Sequence, residues 1–257
     1  MRRCAAALLP LLLLAAPAPA AGEGGDAVAA VDRAISGWER SCGGPTELGA
    51  CTRTRVVAVD NRCEMSGRTV EVRRSPKSAR AAQVALAVAL AALEKRADAA
   101  LPAQAAAAAR GRSSLAEAAY EDFLRLRFPT GLDFSGARKK DSEKRFNAFF
   151  VEARKRLDSA TEAYRHVADH PGVTAELRLR AAARTGQLHA RFAELLLGAE
   201  IPRDVRTGDL AADKIAAFCD VMEDEITPIE ERARVAFEEC RALAAGQGPW
   251  AAVCDWP

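Results

Sequence analysis

Apolar residues recur in steps of three or four through most of this chain, which predicts helices. Val28, Val31, Ile35 and Trp38 form one such set over residues 26–40. Phe146, Phe149/Phe150, Ala153, Leu157, Ala160, Tyr164 and Val167 form a longer one over 141–169, and Pro171-Gly172 ends it. Leu177, Ala181, Leu188, Phe192 and Leu195/Leu196 line a third over 174–197. Between the first two, residues 78–100 are rich in Ala, Leu and Val, and Pro102 breaks the run. Ser113 then reads as the cap of a helix reaching about Arg127, after a helix-prone stretch at 104–109. Gly208 or Asp209 opens the last helical region. Within it Thr227-Pro228-x-Glu230 resembles an N-cap, an N1 proline and a capping-box acid, so a new helix or a kink is expected there. Only residues 54–59 and 69–72 look β-prone, and Asp60-Asn61 with Ser66-Gly67 suits a hairpin between them.

Composition sharpens this picture. The 257 residues include 58 Ala and only 5% aromatics. Small side chains let helices approach closely but bury little area each. Three pairs show how that works: Ala119 precedes Phe123 by one turn, Ala160 precedes Tyr164 and Ala233 precedes Phe237. The alanine steps of 41 and 73 residues lie near one and two tetratricopeptide (TPR) periods. The expected fold is all-α, a TPR-like antiparallel helical repeat or solenoid over 77–257. A small disulfide-rich section at 21–76, with a short hairpin, precedes it.

Residues 1–20 read as a cleavable Sec-type signal peptide. Arg2 and Arg3 form a positive start, Leu8, Leu9 and Leu11–Leu14 an apolar centre, and Ala18-Pro19-Ala20 a small-residue cleavage site. No lipoprotein cysteine follows it, and no later segment is apolar enough to span a bilayer. The expected location is the periplasm or the exterior. Six cysteines remain after Cys4: Cys42, Cys51, Cys63, Cys219, Cys240 and Cys254. An even number in an oxidising compartment suggests disulfides, and six cysteines allow 15 pairings. Cys240 and Cys254 sit symmetrically about Gly246, Gly248 and Pro249, which favours a local bond. The favoured set adds one local pair among Cys42, Cys51 and Cys63, with Cys219 bonded to the third.

The formal charge of +2 comes from Arg2 and Arg3, so the mature chain is neutral. That balance disfavours nucleic acid as a partner. The division is uneven, however: residues 21–140 carry 19 basic and 14 acidic groups, and 141–257 carry 16 and 21. Arg53, Arg55, Arg62, Arg68, Arg73 and Arg74, with Lys77 and Arg80, gather in the Cys-rich section. Asp220, Glu223, Asp224, Glu225, Glu230 and Glu231 gather near the end. These two sets are candidate docking residues for protein partners, or for anionic cell-wall polymer on the basic side.

Signs of catalysis are few. Gly-x-Ser-x-Gly, Cys-x-x-Cys and phosphate-binding glycine loops do not occur. His166 and His170 have chelating spacing, but His170 precedes Pro171 at a helix end, where a cationic imidazole complements the dipole. Neither metal nor cofactor is expected, nor an enzyme.

Residues 128–257 show a resemblance. Phe128-Pro129-x-Gly131-Leu132-Asp133-Phe134 and Arg138-Lys139-Lys140-x-Ser142-Glu143-Lys144-Arg145-Phe146 resemble TPR-like envelope proteins of the myxobacterial adventurous gliding-motility apparatus. Leu157, Ala160 and Tyr164, then Ala181-Ala182, Gly186-Gln187, Phe192 and Leu196 before Ile201-Pro202, are similar to their successive units. Pro228-x3-Arg232-Ala233-x3-Phe237-x2-Cys240 with Trp250-x3-Cys254 looks like their last helix and turn. The resemblance implies a periplasmic, non-enzymatic scaffold whose partners are other envelope proteins. It does not extend to the section from Cys42 to Cys63.

Overall fold

A computed structural model describes residues 21–44, 50–58, 60–63, 66–96, 98, 101–244 and 252–254. Residues 1–20, expected to be a signal peptide, and the expected break at 246–249 lie outside the described residues. Within them are six α-helices, one 3-10 turn and one hairpin. The chain runs α1 (Ala21–Arg40), β1 (Thr52–Ala58), β2 (Ser66–Val72), α2 (Pro76–Glu94) and α3 (Pro102–Leu124). A 3-10 turn (Gly136–Arg138) leads into α4 (Lys139–Ala168), α5 (Ala175–Leu197) and α6 (Ala211–Ala244). No described helix is long and apolar enough to cross a membrane.

The helix starts follow local chemistry. Ser75 Oγ accepts the Ser78 N–H at 3.1 Å, and Pro76 follows at N1 of α2. Thr174 Oγ1 does the same for Leu177 N–H at 3.2 Å on α5. One expectation is corrected and one pair of alternatives is narrowed. Pro102 opens α3, and α3 then runs unbroken through Ser113, which is buried in mid-helix and caps nothing. Pro228 starts no new helix, because α6 continues through it. The hairpin appears where expected, in the antiparallel register Thr52↔Val72 to Ala58↔Ser66.

α3 is the centre of the packing. α1 and α2 lie against it on one side, and α4 and α5 on the other. The largest core forms where α3, α4 and α5 meet, around Phe123, Leu124, Phe149, Leu157, Tyr164, Leu188 and Phe192. Val70 and Val72 of the hairpin pack onto its edge. Val31, Leu90, Leu93, Ala107 and Ala108 make a smaller core between α1, α2 and α3. Antiparallel to α5, its main neighbour, runs α6. There Gly186 faces the Phe237 ring so closely that a Cβ would sit 2.8 Å from it. Ala160 and Ala233 are buried one turn before buried aromatics, as the spacing implied.

Three disulfides join Cys42 to Cys51, Cys63 to Cys219 and Cys240 to Cys254. The first and last are local. The middle one sews the turn after β1 to the first half of α6.

Candidate functional site

Two glutamates set the chemistry of the interior. Glu117 and Glu121 lie one turn apart on the Ala-rich helix α3, and both are buried. A buried carboxylate must be paired and hydrogen-bonded to persist as a charge. Each finds an arginine, from different parts of the chain.

Glu121 takes Arg74. Nε of Arg74 donates to Oε2 at 2.9 Å and Nη2 to Oε1 at 3.2 Å. The Cys51 N–H adds a third donor at 2.8 Å. Nη1 of Arg74 donates to the Trp38 carbonyl and to Ser41 Oγ, and the guanidinium lies 3.6 Å from the Trp38 ring centroid. The Arg74 carbonyl accepts from Arg125 Nη2 at 2.7 Å. One ion pair thereby fastens α1, the Cys42–Cys51 loop and the β2–α2 junction to α3.

Glu117 takes Arg184 of α5, Nε to Oε1 at 3.1 Å. Arg184 Nη1 donates to Gln187 Oε1 at 2.6 Å, and its guanidinium covers the Tyr120 ring at 4.4 Å. Tyr120 OH donates to the same Gln187 oxygen at 3.2 Å. Burial pushes the Arg184 pKa down, but the Glu117 carboxylate and the two tyrosines outweigh it and the net shift is upward. Tyr164 lies in the same seam, where burial first and Glu117 second hold its phenol well above the usual range. Burial likewise raises Tyr120, against the pull of Arg184. Both glutamates are thus bound to arginines inside the core.

The basic docking residues read from sequence differ in exposure. Arg53 and Arg55 are exposed on β1. Arg68 pairs with Val56 in β2, and its side chain lies outside the described residues. Arg62 and Arg73 are half-buried. Arg62 donates from Nη1 to the Gly198 carbonyl, and Arg73 Nη2 lies 3.3 Å from Cys42 Sγ. Arg74 is the correction. Its side chain has no exposed surface, so it is a structural clamp and cannot meet a partner. Sequence reasoning also missed Glu117, Glu121 and Arg184. The available signal was a pair of acids four residues apart on the same side of an Ala-rich helix.

The acidic set lies on α6, and all six residues are exposed. Asp220, Glu223, Asp224, Glu230 and Glu231 share one side of the helix by their spacing, and Glu225 falls off it. Glu231 pairs with Arg234 at 2.5 Å, which holds its carboxyl below the ordinary glutamate range. The other five form no ion pair among the described residues. Ile215, Phe218 and Met222 lie on the opposite side and are half-buried. The Cys63–Cys219 bond sets this acidic helix beside the Cys-rich section, so the two charged sets are neighbours rather than distant ends.

His166 and His170 do not form a metal pair. His166 Nε2 lies 3.0 Å from Glu162, whereas His170 Nδ1 accepts the Gly172 N–H at 3.1 Å. No group of three His, Cys, Asp or Glu able to hold a metal occurs among the described residues. A cavity of about 290 Å³ lies between α2, α3 and the α4–α5 turn, floored by Leu93, Ala105 and Ala108. Its polar rim is the Glu94–Arg112 ion pair and His170. No protein family, curated protein or solved structure matches the chain.

Proposed function

We propose that this chain is an exported, non-enzymatic adaptor that docks envelope proteins through charged surfaces on a TPR-like helical array. One observation carries the reading: Asp220, Glu223, Asp224, Glu225 and Glu230 crowd one exposed stretch of α6, and none forms an ion pair among the described residues. Like charges held together repel one another and lower stability. A surface that keeps them suits a cationic partner better than it suits the isolated fold. Three disulfides agree with an oxidising compartment. The resemblance of residues 128–257 makes a gliding-type motility complex the assembly to examine first.

A second reading has its own support. Arg53, Arg55, Lys77 and Arg80 are exposed and form no ion pair among the described residues, which suits an anionic cell-wall polymer. The two separate by variant. Reversing the α6 acids (Asp220→Lys, Glu223→Lys, Asp224→Lys) abolishes in-cell crosslinking to envelope proteins if the adaptor reading holds. Loss of sedimentation with isolated cell wall after Arg53→Glu and Arg55→Glu, with crosslinking intact, supports the polymer instead.

A further inference from the structure

α6 outruns the helix that supports it. Leu179 faces Cys240 and Gly186 faces Phe237, while Ala190 clusters with Ala233 and Phe237. Continued in that antiparallel register, α5 ends opposite Ile226. Every buried residue of α6 lies at Ile226 or beyond, so residues 211–225 contain none. This overhang has few ties. Lys214 Nζ donates to the carbonyls of Asp204 and Thr207 at 2.7 Å, but both belong to the loop leading into α6. Met222 packs partly on the main core. The covalent tie is Cys219, bonded to Cys63 in the turn after β1.

Two further features coincide with this geometry. First, the three disulfides differ in access. Cys63 and Cys219 are both partly exposed, whereas Cys42 is 7% exposed and Cys51, Cys240 and Cys254 are 0%. Second, Pro228 stands at the junction of the overhang with the anchored half. Proline has no N–H to donate, so the helix lacks the backbone bond to the Asp224 carbonyl there. Thr227 Oγ1 turns back to the Glu223 carbonyl at 2.9 Å. The backbone ladder is therefore weakest where the packing ends.

We propose that Cys63–Cys219 is a thiol–disulfide exchange site, and that opening it releases residues 211–225 as an arm hinged at Pro228. The reactant is a protein dithiol of the exported-oxidoreductase class. One of its thiolates attacks Sγ of Cys219 or Cys63, the S–S bond breaks, and a mixed disulfide forms. Its second thiolate then displaces the bound cysteine. The dithiol leaves as a disulfide, and two electrons and two protons end on Cys63 and Cys219 as thiols. Exchange with an oxidised partner reverses the step. Release frees residues 211–225 from their tie to Cys63 and swings Asp220, Glu223, Asp224 and Glu225 away from the body. The inference goes beyond the adaptor reading and does not rest on it.

The test uses the oxidised full mature chain. It is exposed to graded dithiothreitol without denaturant, quenched with N-ethylmaleimide and mapped by peptide mass spectrometry. Cys63 and Cys219 should be labelled together, at least tenfold faster than the other four cysteines. Hydrogen exchange on the same samples, at labelling times too short for amides that open only by global unfolding, should rise in residues 211–225, with 226–244 and α5 unchanged. The Cys63→Ser/Cys219→Ser variant should show that exchange pattern with no reductant. Equal opening rates for the three bonds overturn the site. Unchanged exchange at 211–225 once the bond is open, or a rise spread over the whole chain, overturns the hinged arm.

Discussion

Replacing Glu121 by Leu removes the carboxylate but leaves the Arg74 guanidinium buried. Three hydrogen bonds vanish at once, two from Arg74 and one from the Cys51 N–H. Arg74 keeps the Trp38 carbonyl, Ser41 Oγ and the Trp38 ring, none of which carries a compensating negative charge. Breaking a buried pair from one side costs about 3–5 kcal/mol. With a urea dependence of about 2 kcal/mol per molar, the unfolding midpoint should fall by roughly 1.5–2.5 M. Arg74→Met alone should cost a similar amount, because it leaves Glu121 as the stranded charge. The double variant is the decisive sample. With neither charge buried, it should regain most of the loss and approach the parent chain. Urea titrations followed by far-UV circular dichroism give all four corners of the cycle. A Glu121→Leu cost under about 1 kcal/mol, or strict additivity of the two single costs, would refute the clamp.

Other consequences are simpler to state. Gly186→Ala places a Cβ 2.8 Å from the Phe237 ring and should lower stability by about 1–3 kcal/mol in thermal melts; Phe237→Leu in the same chain should recover part of it. Cys240→Ser/Cys254→Ser opens a bond of sequence separation 14 and should cost about 3 kcal/mol in the chain-entropy relation, against about 5 kcal/mol for the Cys63–Cys219 pair at separation 156. Denaturant midpoints for the two double variants check that order. His189 is half-buried on α5, and burial first, then Arg232, hold its imidazole below the ordinary 6.5. The unfolded chain therefore takes up the proton first, and stability should be full above about pH 6.5 and fall as pH drops below it. His189→Gln should lower that slope in melts between about pH 7.5 and 5; an unchanged slope would assign it to other groups.

How far the sequence could be read depended on the range of the forces involved. The hairpin and the long α4 come from contacts within a few residues, and turn residues and periodicity carry those. The Cys240–Cys254 pair was visible because a Gly-Pro break lies midway between the cysteines. Ser113 misled for the opposite reason. Serine favours caps in isolation, but here it sits where α3 is covered on both sides, and tertiary packing overrides the local preference. Thr227-Pro228 left a new helix or a kink open, and the helix runs on: the overhanging stretch before Ile226 tolerates a missing backbone bond without ending it. Arg74 stood beside Arg73 in a basic run and looked solvated. Its partner is 47 residues away on α3, and a sequence shows no pairing at that distance. The acidic side of α6 was legible as composition, whereas its place beside the Cys-rich section depended on the Cys63–Cys219 bond.

The adaptor reading stands most directly on the unpaired acids of α6. Photo-crosslinkers placed at Thr227 and Val221 in the native cell report what meets that helix face. A defined envelope protein should be captured by the parent chain. It should be lost when Asp220, Glu223 and Asp224 become Lys with circular dichroism unchanged, and weakened as salt rises. Equal capture by the charge-reversed chain, or none from the parent, would contradict the reading.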